Sequence, residues 1–281
     1  MCRMGSYYSF PCFLIIILGL LNLAFIGGAQ EVENERDFSY DHSSHVGPSQ
    51  WGMIRPEWRL CNNGTMQSPI DMLHQRVRVV ANSGILRKDY RPANATLINR
   101  GHDIMLKFKG DAGNMYINGT PYPLRQCHWH SPSEHTVNGI RFDMEIHLVH
   151  QRATGEIAVI GAFYHLGTND SFLLRMAPYL RAIENTATIG RSVGVVDPRN
   201  IQIGSGSYYR YVGSLTVPPC TQNVDWSIVR NVRTVGESQV KLIRLAVQDG
   251  SETNARPLQP INQRTITLIA HRERDINLPP C

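Results

Sequence analysis

Three histidines carry the chemistry this chain could do. His128 and His130 are separated by one residue, and His147 follows in the next apolar run, Arg141–His150. Alternate residues of a β-strand point to one face, so a strand over Tyr122–Ser131 projects His128 and His130 together. From a neighbouring strand, His147 reaches the same spot. Three neutral imidazoles leave a tetrahedral Zn²⁺ one open position, the arrangement of a catalytic rather than a structural zinc site. Spacing alone leaves a second reading open, because two histidines at i and i+2 also describe a solvated face. Gln126 and Glu145 each stand two residues before a histidine, His128 and His147, and hence on its face. There a side chain can hydrogen-bond the ring nitrogen that a metal does not use. A nearby Arg would serve Glu145 equally well, and in either case a buried carboxylate requires a partner.

The elements that must position these residues are mostly strands. Strand-like runs recur at Ile85–Tyr90, Ala95–Asn99, Ile104–Phe108, Asn114–Ile117, Tyr122–Ser131, Arg141–His150, Ile157–His165, Val212–Leu215 and Val224–Asn231. Asn118-Gly119 marks a tight turn before Tyr122. Helical patterns cover Asp170–Ala182, with Asp170 or Ser171 as N-cap, and Ser238–Val247. This pattern predicts a single β-rich α+β domain with a mostly antiparallel sheet and a few peripheral helices.

The N-terminus has the layout of a secretory signal peptide: Arg3, an apolar run over Phe10–Leu23, then Gly27-Gly28-Ala29. An uncleaved signal anchor is the competing reading, since Phe10–Ala29 is nearly long enough to span a bilayer. The short apolar core and the small residues favour cleavage near Ala29. Removing 29 of 281 residues leaves 281 − 29 = 252, enough for one domain with a substantial core. The formal charge falls from +5 to +4 with the loss of Arg3, and no basic block or aromatic–basic interleaving suggests nucleic acid as a partner. Residues 30–45 read as a loosely held arm. No later segment is long and apolar enough for stable membrane insertion. Cysteine usage fits export: Cys61, Cys127, Cys220 and Cys281 remain, and four cysteines allow three connectivities. Cys127 alternates with the histidines on its strand and is expected to be a buried free thiol. Sequons at Asn63, Asn94, Asn118 and Asn169 are candidate glycosylation sites.

Several segments together resemble the α-class carbonic anhydrases, particularly the secreted plant members. They are Gly47-Pro-Ser-Gln-Trp51, Gln67-Ser-Pro-Ile-Asp71, Asn99-Arg-Gly-His102, Gln126-Cys-His-Trp-His-Ser-Pro-Ser-Glu-His-Thr136, Glu145-Ile-His-Leu-Val-His150, Gly213-Ser-Leu-Thr-Val-Pro-Pro219 and Asn254-Ala-Arg-Pro257. The resemblance runs from about Phe38 to Asn277, which bounds a domain of 46–277 with a short tail at 278–281. It implies a central twisted sheet of about ten strands and zinc held by His128, His130 and His147. Gln126, Glu145 and the Asn254 carbonyl become the partners of those rings. Thr216 and Glu134 are implied as a pair that orients zinc-bound hydroxide, a positioning effect. Val149, Val159, Leu215 and Trp226 match the apolar wall for CO₂, and Thr216 and Val217 complete the substrate site. The implied reaction is reversible hydration of CO₂ to bicarbonate and a proton, with zinc lowering the pKa of its water to near neutrality. His102 is the implied proton shuttle, an imidazole being able to exchange protons at neutral pH, through a water chain bordered by Tyr40. Cys61 and Cys220 match a bridged pair.

Three positions depart from the pattern of fast members. Val217 stands where many carry a second Thr, and Arg100 and Met105 replace Asn residues that order relay waters. An active enzyme with slower proton transfer is the expectation. The rival is a non-catalytic storage or binding protein on the same scaffold. Secretion is the expected destination, with plastids reachable by the same route, and the sequence does not fix an oligomeric state.

Overall fold

The computed structural model describes residues 31, 34–81, 85–184, 190–247 and 253–270. The signal segment, His271, Cys281 and the tail at 278–281 lie outside the described residues. Fourteen strands are described: β1 (Asp71–Met72), β2 (Val77–Ala81), β3 (Ala93–Asn99), β4 (Ile104–Lys109), β5 (Asn114–Ile117), β6 (Thr120–His130), β7 (Thr136–Val137), β8 (Ile140–Arg141), β9 (Met144–Gln151), β10 (Ile157–Leu166), β11 (Arg191–Val196), β12 (Tyr208–Ser214), β13 (Gln222–Val235) and β14 (Ile266–Ala270). Helices are α1 (Trp51–Ile54), α2 (Leu60–Asn63), α3 (Ser171–Ile183) and α4 (Glu237–Val247).

Eleven strands form one sheet in the order β11-β3-β4-β6-β9-β10-β13-β12-β14-β2, with β5 paired to β6 off this path. All pairs are antiparallel except β10–β13 and β14–β2. A small sheet, β1-β7-β8, lies apart. The expected β-rich single domain with a large, mostly antiparallel sheet is therefore what the chain forms.

Strands β9 and β10 are buried on both faces, over Met144–His150 and Ile157–Tyr164. On one face Cys127, Trp129, Ile146, Leu148 and Ile160 pack with Phe172, Met176 and Leu180 of α3 and Ile243 of α4. The opposite face, reached by alternate residues, carries Val149, Val159, Phe163 and Trp226 in a second core. Cys127 belongs to the helix-side core as a free, buried thiol, and burial raises its pKa. Helix α3 starts where the sequence indicates: the Asp170 carboxylate accepts from Phe172 N at 2.8 Å and Leu173 N at 2.9 Å.

Several expectations are corrected. Ile85–Tyr90 is not a regular strand: it meets β5 at one isolated bridge, Lys88 to Met115, with backbone bonds from Asp89 N to Asn114 O and from Tyr116 N to Arg87 O, both at 3.0 Å. The Asp89 carboxylate also accepts from Asn114 N at 2.7 Å and from the Tyr116 hydroxyl at 2.7 Å, beside those backbone bonds. The run Arg141–His150 is broken at Phe142-Asp143, whose backbone turns to Ser133 and Tyr164. Val212–Ser214 is the end of the longer β12, with Leu215 just beyond it, and the outer strands β2, β11 and β14 were not expected. In the segment read as a loose arm, Glu31, Glu35, Phe38 and Tyr40 are buried, while Asn34, Arg36, Asp37, Asp41, His42, Ser43 and His45 are exposed. Phe38 and Tyr40 are buried with Trp51, Trp58, Cys61, Val217 and Cys220.

Candidate metal centre

Sheet register builds the centre. In the β6–β9 pair His128 stands opposite His147 and His130 opposite Glu145. All three histidines are buried, with ring centroids 4.6–5.2 Å apart. One ring nitrogen from each lies within 4.8 Å of the others.

Hydrogen bonds sort the nitrogens. His128 Nδ1–H donates to Gln126 Oε1 at 2.9 Å, and His130 Nδ1–H donates to the Asn254 carbonyl at 2.7 Å. His147 Nε2–H donates to Glu145 Oε1 at 2.9 Å. This leaves His128 Nε2, His130 Nε2 and His147 Nδ1 for a metal. The two Nε2 atoms are buried without any hydrogen-bond partner, a costly state for polar atoms. Glu134 Oε2 is likewise unpartnered, 3.5 Å from His130 Nε2 and 4.0 Å from His147 Nδ1. Convergent, orphaned imidazole nitrogens with their outer nitrogens anchored fit a zinc ion. A second grouping of His135, Glu145 and His147 has metal-like spacing. It fits less well, since both Glu145 oxygens are already engaged.

Glu145 is the most heavily bonded carboxylate here. Oε2 accepts from Glu134 N and His135 N, each at 2.9 Å, and Oε1 from His135 Nδ1 at 2.8 Å as well as from His147. Burial opposes its charge, yet the His135 and His147 rings hold its carboxyl well below the usual range. Burial pushes His128 well down, helped by the charge of Arg100 and the neighbouring rings, and burial also lowers His147. Both rings are thus kept in the neutral form a metal requires.

The other expected residues fall around this centre. Val149, Val159, Leu215 and Trp226 are buried in one apolar cluster. Val217 departs from that wall and packs with Phe38 and Tyr40 of the arm. Thr216 is buried in the loop tied by Cys220 N to Val217 O at 2.9 Å and Gln67 Nε2 to Cys220 O at 3.1 Å. The implied Thr216–Glu134 bond is not closed: Oε1 of Glu134 accepts from Arg256 N at 2.9 Å, and Oε2 accepts nothing. His102 is buried, its Nε2 2.6 Å from the Phe38 carbonyl and its ring 5.3 Å from that of Tyr40. Burial raises the pKa of Tyr40 well above its ordinary value. Met105 stands opposite His128 in the β4–β6 pair. Arg100 is buried and ion-paired with Asp103 and Glu31. Cys61 and Cys220 form a disulfide. Asn63, Asn94, Asn118 and Asn169 are all exposed.

Two participants were not anticipated. Buried Arg256 donates through Nη1 to Gln67 Oε1 and Ser68 O, and through Nη2 to Cys61 O, at 2.7–2.9 Å. Burial pulls its pKa down to about 10. It lay in a recognised segment, so a role was within reach. Glu31, which shares the cleft with Gln126, Val149 and Leu215, had no signal in the sequence.

Comparison with known proteins agrees with this geometry. The profile of the eukaryotic-type carbonic anhydrases matches residues 46–270. Alpha carbonic anhydrase 7 of Arabidopsis thaliana is 49% identical over 270 residues, covering 94% of this chain and 98% of its own length. A crystal structure of dioscorin complexed with ascorbate is 42% identical, covers 84% of this chain and 99% of its own, and superposes with a TM-score of 0.81. An α-carbonic anhydrase from Thermovibrio ammonificans, solved with sulfanilamide, is 31% identical, covers 82% and 98%, and superposes at 0.74. With its sheet, its histidine centre and these matches in agreement, the chain belongs to the α-carbonic anhydrase family.

Proposed function

We propose that this chain catalyses the zinc-dependent, reversible hydration of CO₂ to bicarbonate and a proton. The family is zinc-dependent and acts on CO₂ and bicarbonate. The observation that carries the reading is the convergence of two orphaned imidazole nitrogens and His147 Nδ1 beside an unpartnered Glu134 oxygen. When bound there by His128, His130 and His147, zinc supplies a water acidic enough to act as a nucleophile near neutral pH. Glu145, Gln126 and the Asn254 carbonyl orient the three rings. Glu134 offers Oε2 as an acceptor, and Thr216, on the adjoining loop, is the hydroxyl proposed to use it. Val149, Val159, Leu215 and Trp226 form a dry wall suited to an uncharged linear substrate. The resemblance assigns outward proton transfer to His102, flanked by Tyr40, and its bond to the Phe38 carbonyl would make that transfer slow. Export belongs to the same reading, supported by the Cys61–Cys220 bond, which an oxidising compartment sustains.

Zinc content and CO₂ hydration, measured on wild type and His130→Ala, test the proposal. The wild type is expected to hold one zinc and hydrate CO₂, and the variant to lose both. Full zinc occupancy without hydration would move the chain to the second reading, a non-catalytic binding or storage protein. The likeness to dioscorin and the burial of His102 favour that alternative.

A further inference from the structure

Glu31 is separated from the domain by most of the arm, yet its side chain is only 6% exposed. Its Oε2 accepts from Arg100 Nη1 and from Gln126 Nε2, both at 2.8 Å. The other end of the same Gln126 amide, Oε1, accepts from His128 Nδ1–H at 2.9 Å. A continuous path therefore runs carboxylate, amide, imidazole, and ends at the orphaned His128 Nε2. Arg100 is itself fixed by Asp103, and the arm is fastened beside it by Glu35 N to Arg100 O at 2.7 Å.

The path has a chemical consequence. An amide can be turned end for end, and a flipped Gln126 would present an N–H to His128 Nδ1. The ring would then be driven to the tautomer that carries its proton on Nε2, the atom a metal needs bare. A carboxylate on Nε2 of Gln126 makes the flipped orientation unfavourable, since two oxygens would then face each other. It also polarises the amide, so that Oε1 becomes a better acceptor and His128 a better donor ligand.

We propose that Glu31 is a positioning residue of the metal centre: through Gln126 it fixes the tautomer and orientation of His128, so that the N-terminal arm is a working part of the zinc site. This rests on the reading of His128, His130 and His147 as zinc ligands. The arm's role in the site is then a matter of two or three residues next to the expected cleavage point near Ala29.

The test is the rate at which zinc passes from the loaded protein to an excess of dipicolinate. Outer partners of metal ligands commonly alter affinity about 10- to 100-fold, and Glu31 lies one bond further out, so Glu31→Ala should release zinc about tenfold faster. The isosteric Glu31→Gln, which keeps the shape and loses the charge, should fall between it and wild type. In a Gln126→Ala background, Glu31→Ala should add nothing. Asp37→Ala, at an exposed position of the same arm, should match wild type, whereas release as fast as that of Glu31→Ala would assign the effect to arm docking and overturn the proposal. Release by Glu31→Ala within about twofold of wild type, below the range for outer partners, would overturn it too. So would a full effect surviving in the Gln126→Ala background. A wild type that takes up no zinc would overturn the metal-centre reading itself, and this inference with it.

Discussion

Gly161 stands opposite His147 across the β9–β10 pair, and a Cβ built on it would lie 2.9 Å from Glu145 Oε1 and 2.6 Å from Ile228 Cδ1. The missing side chain is what lets the Glu145 carboxylate lie along the sheet and reach both His135 and His147. Gly161→Ala should push this oxygen off His147 Nε2. Zinc affinity, read by chelator competition, is expected to fall about tenfold or more, the effect of losing an outer partner. Wild-type affinity in a folded Gly161→Ala protein would show that Glu145 can give way without cost to the metal.

The Cys61–Cys220 bond closes a loop across a sequence separation of 159 and ends on the Thr216 loop. In the chain-entropy model a closure of that length contributes roughly 5 kcal/mol. Cys220→Ser should therefore lower the melting temperature, and should lower CO₂ hydration at temperatures where the variant is still folded. A lower melting temperature with unchanged hydration would confine the bond to stability.

His102 is held at the Phe38 carbonyl and flanked by Phe38 and Tyr40, with Arg100 beside it already engaged by carboxylates. A proton carrier must change partners, and this ring is detained. Stopped-flow CO₂ hydration should rise as imidazole buffer is added. His102→Ala should cost far less than the hundredfold or so that follows loss of an engaged general acid–base. A large loss in that variant, rescued by added imidazole, would establish His102 as a working shuttle.

His150 gives a pH dependence independent of the metal. Its Nδ1–H donates to Ala158 O at 3.2 Å, and its Nε2 accepts from the Tyr90 hydroxyl at 2.7 Å. Burial pushes the ring from 6.5 to about 3. The unfolded chain then binds the proton first, so the contribution to stability is whole above about pH 6.5 and is lost as pH falls toward about 3. Melting of metal-free protein between these limits should decline with acidity, and His150→Gln should flatten the decline. An unchanged slope in that variant would remove His150 as a cause.

How much of this could be read in advance depends on the range of the interaction. His128, His130, Gln126 and Glu145 share one face of two strands by alternation alone, and the Asn118-Gly119 turn fixes where β6 begins, with φ of 49° and 80° at the two residues. Cys127 was placed on the opposite face by the same rule. The Ile85–Tyr90 run misled because its pairing with β5 is confined to one bridge at Lys88 and two flanking backbone bonds, too short for a strand. The outer strands β2 and β11 are less clearly patterned, since their neighbours bury them unevenly, whereas β14 alternates regularly but spans only five residues. Glu31 was illegible for a different reason. Its partners are 69 and 95 positions away, and nothing in an acidic, polar segment distinguishes the one carboxylate that turns inward.

The parallel pairing of β10 with β13 has a consequence for how the molecule assembles. Strands β6, β9 and β10 are neighbours in the sheet and close in sequence, with only the segment bearing β7 and β8 between β6 and β9, so the three histidines can meet early in folding. β13 must return from beyond residue 221 to lie beside β10, a closure whose entropy is met before its contacts reward it. The Thr216 loop immediately precedes β13, and its cysteine waits for a partner near residue 61. Assembly therefore favours the metal-ligand strands first, with the substrate loop and its covalent tie following.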